Sequence, residues 1–263
     1  MSGHSKWAKI KRQKGANDVK RGAIFTKLGR NIALAVKEGG PDPDSNFSLR
    51  LVIDKAKAVN MPADNIERSI KKATGEDAKV SMQKVTYEAI TSNGVNILVD
   101  CQTDNTNRTV AEVKKILESN GAKMASIGSV SWQFTELGLI IVEPARLQKS
   151  QKFGTEDTYI PAEIEEIEME LMEIEGITDI NQTEIENEKE EPISVLEVFT
   201  DKINFSKVHK KLVLGNYKII TAELIKKPND LIEITDEVSM KVDKIVEALE
   251  EHDDVDSVWT NTK

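Results

Sequence analysis

Ten residues near the start of the chain are the ones whose type and spacing could do chemistry. Nine are cations, Lys6, Lys9, Lys11, Arg12, Lys14, Lys20, Arg21, Lys27 and Arg30, and the tenth is Trp7. Asp18 is the one acid among the first 30 residues, so the segment carries +8 on a chain whose formal net charge is −9. The chemistry this predicts is phosphate contact. A basic stretch on an acidic body approaches a polyanion without coating the whole protein in positive charge. Trp7 has two readings: a ring stacked on a base, or a hydrophobic pin that holds the segment to the body. The pin is preferred, because one aromatic makes a poor stacking platform.

No catalytic constellation accompanies these residues. The histidines, His4, His209 and His252, fall on separate elements, and Cys101 ends an apolar run that reads as buried strand. No Gly-rich phosphate loop, H-E-x-x-H or G-x-S-x-G occurs in the sequence. The expectation is a protein that is not an enzyme, with no catalytic residue, no metal and no cofactor. A single cysteine excludes an internal disulfide framework and suits a reducing cytoplasm. No apolar run approaches the ~18 residues needed to span a bilayer. The basic N-terminus lacks a hydrophobic segment of signal-peptide type, and it leads straight into a packed helix, unlike a mitochondrial presequence.

The elements that must position the cations begin with a helix over 16–37. At ~100° per residue Ile24, Phe25, Leu28, Ile32, Ala35 and Val36 share an arc of ~120°. Lys20, Lys27 and Arg30 fall opposite, so the helix is expected to display a basic face, with residues 2–15 as an arm before it. Gly39-Gly40-Pro41 ends the helix. Helices from about 45 and about 62 carry Leu49, Val52, Ile53, Ala56 and Val59, then Ile66, Ile70 and Ala73. Three short amphipathic helices must pack together as a bundle.

After residue 79 the periodicity becomes mixed. Residues 85–89 and 95–101 read as strands joined at Ser92-Asn93-Gly94, followed by a helix on Val110, Val113 and Leu117 opened by the capping run 103–106. Residues 129–134 read as a strand, 239–251 as a helix and 255–260 as a last strand. Between them lie strand 139–142, helix 162–174, strands 178–185 and 195–199, helix 205–214 and strand 218–224. That order is the ferredoxin-like pattern. The expected fold is α+β: an N-terminal helical bundle (residues 1–79), an α/β domain (80–135 with 228–263), and a ferredoxin-like domain inserted in it (136–227). Residues 156–191 hold 15 acids and one lysine. Without histidine or a fixed loop they are a weak metal signal. They can also repel nucleic acid and so orient the basic arm, but a solvated face is the preferred reading.

Several stretches carry a family resemblance. Gly3-His4-Ser5-Lys6-Trp7-Ala8, Arg21-Gly22 to Phe25-Thr26-Lys27, Asp54-Lys55-Ala56-Lys57 and Asn60-Met61-Pro62 resemble the YebC/PmpR family. So do Asp64-Asn65-Ile66-Glu67-Arg68, Thr103-Asp104-Asn105, Asn107-Arg108-Thr109 and Gly128-Ser129-Val130, in the family's order. The chain departs from it at Thr91-Ser92-Asn93-Gly94, where members carry a Gly-Pro-Gly-Gly-like turn, and in a longer, more acidic stretch over 145–191. The resemblance implies three domains and a DNA-binding transcriptional regulator of the cytoplasm. It also implies an alternative, because some members are linked to translation at the ribosome and mitochondrial relatives activate translation of a respiratory subunit. The expected partner is therefore nucleic acid, DNA or in the alternative ribosomal RNA, with no membrane partner. No recognition helix that would read base edges is identifiable, so phosphate contact is the footprint that both functions share.

Overall fold

The structure is a computed structural model that describes residues 18–75, 82–148, 157–187 and 191–263. The chain divides into two compact units, Met1–Thr135 with Lys227–Lys263, and Glu136–Lys226.

The first unit opens with α1 (Asp18–Gly39), α2 (Phe47–Ala58) and α3 (Ala63–Thr74). The apolar arc of α1 does what its spacing predicts. Leu28, Ile32, Ala35 and Val36 are buried against Leu49, Ile53 and Ala56 of α2 and Ile66 of α3, with Ile24 and Phe25 at the edge. Helix α1 ends where Gly40 takes a positive φ of 87° and returns its N–H to the Val36 carbonyl at 2.8 Å. Asn46 caps α2 by accepting from the Leu49 N–H at 3.1 Å.

The rest of this unit is a four-stranded antiparallel sheet with two helices on one face. Its strands are β1 (Gln83–Thr91), β2 (Asn96–Thr103), β3 (Ala122–Met124) and a C-terminal strand, β9 (Val255–Thr260), in the order β3-β1-β2-β9. Alternation along β2 turns Ile97, Val99 and Cys101 inward. They meet Val113 and Leu117 of α4 (Thr106–Ser119) and Val242, Ile245 and Leu249 of a C-terminal helix, α7 (Asp236–Glu250). Thr109, one residue before the expected Val110, holds the first buried position of α4. Burial, with the nearby Asp100 and Asp254 carboxylates, pushes the Cys101 thiol up to about 12.

One strand expectation fails. Residues 131–133 form a 3-10 turn, and the strand starts only at Phe134. The cause is Glu88, a buried carboxylate that accepts N–H bonds from Gly128 (2.6 Å), Val130 (2.5 Å) and Ser131 (3.0 Å). Those donors are turned onto one side chain instead of a neighbouring strand. The same loop leaves Trp132 exposed, with its Nε1 donating to the Ser129 carbonyl at 2.9 Å.

The second unit runs β4 (Phe134–Gln148), β5 (Thr158–Pro161), α5 (Ile164–Met172), β6 (Ile177–Glu186), β7 (Pro192–Asp201), α6 (Phe205–Leu214) and β8 (Tyr217–Pro228). Strand β4 pairs β7 antiparallel, β7 pairs β6 antiparallel, and β8 pairs β4. The spatial order β8-β4-β7-β6 for a β-α-β-β-α-β chain is ferredoxin-like. Strand β5, not expected from the sequence, adds a short edge to β4 at Ala145–Gln148. Gly138 of β4 lies so close to Phe205 that a Cβ there would come within 2.4 Å of its ring. Several acids of this unit have partners: Glu168 accepts from Gln182, Glu170 pairs with Arg146 and accepts from Tyr217, and Glu175 pairs with Lys207.

Candidate nucleic-acid interface

Of the residues singled out for phosphate contact, Lys6, Trp7, Lys9, Lys11, Arg12 and Lys14 lie outside the described residues, and the choice between pin and stacking ring for Trp7 lies there with them. Lys20 belongs to the first turn of α1, its side chain also outside the described set. Arg21 is exposed on the next position.

Lys27 and Arg30 correct the expectation of a basic face turned to solvent. Lys27 Nζ donates to the Glu250 carbonyl at the end of α7. Arg30 Nη1 donates to the Asp253 carbonyl at 2.9 Å and to Asp254 Oδ1 at 3.1 Å. Asn31 adds a 2.7 Å bond to Asp256 Oδ1, and Glu38 an ion pair with Lys84 at 2.8 Å. The cause is electrostatic. The end of a helix leaves carbonyls without partners and carries partial negative charge, and here it runs into Glu251, Asp253 and Asp254. The side of α1 opposite its apolar arc is the one that this acidic end attracts.

Asp254 is the centre of that contact. Its side chain is 5% exposed, yet it has four donors. Besides Arg30, Oδ2 accepts from Arg108 at 2.8 Å, Thr109 at 2.8 Å and Thr103 at 3.1 Å. Burial pushes its carboxyl up, but the bonds from Arg108, Thr109 and Thr103 outweigh burial and hold it below the ordinary carboxylate range. His252 beside it receives the Asp254 N–H on Nδ1 at 3.1 Å and meets Glu112 through Nε2 at 2.9 Å. Glu112, His252 and Asp254 bring ligand-type atoms within 4.8 Å of one another. All three residues also take part in hydrogen bonds, which makes the trio a polar hub.

A cleft of about 620 Å³ opens next to this hub. Helix α1 gives it Phe25, Ala33, Leu34 and Lys37, and α3 gives Asn65, Arg68, Ser69 and Lys72. The α3 residues recur at spacings of three and four, which is one face of a helix. Arg68 and Lys72 are exposed and form no ion pair among the described residues. The lining acids, Asp104 and Asp254, are both bonded to Arg108. Arg68 and Lys72 were not among the residues singled out for phosphate contact from the sequence. Their spacing with Asn65 was the signal, but only the facing stripe of α1 makes the cleft. No helix among the described residues is long and apolar enough to cross a membrane.

A family model described as the N-terminal domain of TACO1/YebC protein matches residues 5–76, and one described as the TACO1/YebC second and third domain matches residues 82–262. A "probable transcriptional regulatory protein" of Bacillus licheniformis is 42% identical to the chain, covering 99% of both. One named YrbC from Bacillus subtilis is 37% identical, again covering 99% of both. The crystal structure of a conserved hypothetical protein from Aquifex aeolicus is 33% identical, with a TM-score of 0.77 over 98% of this chain and 97% of that one.

Proposed function

The chain belongs to the TACO1/YebC family, and from that premise we propose that it is a DNA-binding regulator of transcription whose basic N-terminal residues contact phosphates. The observation that carries the reading is the charge asymmetry: nine cations against one acid in the first 30 residues of a chain with net charge −9. The relatives' printed names, "probable transcriptional regulatory protein", support the regulatory part. Lys6, Lys9, Lys11, Arg12 and Lys14 are the main contacts, with Lys20 and Arg21 at the start of α1. Lys27 and Arg30 hold α1 on the sheet domain. The protein acts without catalysis, metal or cofactor, in the cytoplasm.

The second reading is a translation factor whose polyanion is ribosomal RNA. It is favoured by the anchoring of Lys27 and Arg30, since the described part of α1 then offers little to read base edges in a groove.

Fluorescence anisotropy with duplex DNA and with a large-subunit ribosomal RNA fragment, over a salt series, tests both. Affinity falls steeply with salt. Deleting residues 1–15 removes five cations and reduces the B-DNA salt slope by up to about 4.5, at ~0.9 per phosphate contact. Salt-independent binding, or a deletion without effect, rejects the reading. Crosslinking in cells then separates promoter DNA from ribosomal RNA as the target.

A further inference from the structure

The geometry points to the cleft between α1 and α3 as a binding site for one nucleoside phosphate, either free or as an unpaired nucleotide of a strand. Its shape is the first support. At about 620 Å³ it falls within the ~300–1,000 Å³ of small-molecule sites. Phe25, Ala33 and Leu34 supply apolar surface on which a base can lie.

Charge is the second. Arg68 and Lys72 stand one turn apart on α3, across from Lys37 of α1. A phosphate entering here meets two cations with no internal ion pair. The nearby carboxylates are already paired, Asp104 with Arg108 and Asp254 with Arg108 and Arg30. An entering cation would find no such pair of uncommitted charges, so the cleft selects anions.

The third support is a hydrogen-bonding group without a use. The side-chain amide of Asn65 is half-buried in the cleft and has no hydrogen-bond partner among the described residues. An amide offers a donor and an acceptor side by side, the pair that matches N6 and N7 of adenine. Asn65 at the base edge with Arg68 and Lys72 at the phosphate uses one helix face to hold both ends of a nucleotide. Asn65, Arg68 and Lys72 are not among the basic N-terminal residues singled out above, so the proposal stands or falls independently of the reading given for them.

Isothermal titration calorimetry on the full chain tests the site with three probes: AMP, ribose 5-phosphate and a short single-stranded oligoadenylate. Two variants probe it, Arg68→Glu with Lys72→Glu, and Ala33→Phe, which fills the apolar floor and keeps the charge. Ala33 lies outside the buried bundle core, so thermal midpoints close to wild type are expected. If Ala33→Phe melts early, Asn65→Ala replaces it. The expected result is AMP binding at least about tenfold tighter than ribose 5-phosphate, weakened about tenfold or more by either variant. Oligoadenylate binding with the same sensitivity, but silent AMP, supports the site and assigns the strand as its source. The proposal is overturned if no probe binds wild type, if ribose 5-phosphate binds as tightly as the adenine-bearing probe that binds, or if either variant leaves every affinity unchanged. Deleting residues 1–15 keeps the tests apart: it leaves AMP affinity unchanged and lowers duplex affinity, so the two failures are distinguishable.

Discussion

Replacing Asp254 with asparagine perturbs the contact that joins α1 to the sheet domain, and its cost can be worked out from the donors. Thr103 and Thr109 are fully buried, and each would lose a charged acceptor. A buried polar group left without a partner costs about 1–3 kcal/mol. The one Thr109 hydroxyl hydrogen can turn to the Asn105 carbonyl, 3.0 Å away, so its loss falls at the low end. Breaking a fully buried ion pair costs ~3–5 kcal/mol. Arg30 and Arg108, however, are 32% and 43% exposed and can rehydrate, which reduces that figure. The net expectation is about 2–3 kcal/mol, or a drop of roughly 5–10 °C in the melting midpoint of this unit. The second unit holds no tryptophan, whereas Trp132 and Trp259 lie in the first, so tryptophan fluorescence during a thermal or urea melt reads the affected unit alone. The effect must also depend on pH. Because the folded carboxyl is held low, its contribution is complete above the ordinary unfolded value of ~3.9 and is lost as pH falls through the folded value. The gap between wild type and variant should therefore close in acid. A neutral-pH midpoint within about 1 °C of wild type, or a gap that persists unchanged in strong acid, refutes the hub.

Two further outcomes can be checked with small amounts of protein. Glu88→Gln keeps one carbonyl oxygen but turns an NH₂ toward the donors of Gly128, Val130 and Ser131, at a cost of about 1–3 kcal/mol; faster hydrogen exchange at Gly128 and Val130 is the reading, and unchanged protection would count against the anchoring role. Cys101, 2% exposed and with its thiol pushed up to about 12, should react with a disulfide reagent at pH 8 only as fast as the unit unfolds, so labelling of the native protein at the rate of a free thiol contradicts its burial.

Elements set by local periodicity were legible. Phe205–Leu214 was readable from its apolar spacing and the Gly215-Asn216 stop, and Val255–Thr260 from its alternation. Short or one-sided pieces were not: β3 is three residues long, and β5 pairs with a strand end rather than burying a face. The reading of 129–134 as a strand failed because Glu88, some 40 residues away, supplies the acceptor that a neighbouring strand would have supplied. The same limit hid the role of Lys27 and Arg30. Their partners lie 223 or 224 residues further along the chain, and within the run Glu250-Glu251-His252-Asp253-Asp254 nothing distinguishes the one buried carboxylate from its solvated neighbours. Thr103, Arg108 and Thr109 were among the residues that carried the family resemblance, and in the folded chain they meet at that carboxylate.

Asn46 has a consequence for how the bundle comes apart. The same side chain that caps α2 donates to the Ala35 carbonyl at 2.7 Å and the Gly40 carbonyl at 2.8 Å, both at the end of α1. Ordinarily helix ends fray one by one, each opening at little free energy. Here the last turn of α1 cannot loosen without removing the acceptor of the Leu49 N–H, and α2 cannot lose its first turn without freeing two carbonyls of α1. The two ends should open as one event, so the amides of Gly40 and Leu49 should exchange with solvent at a common rate.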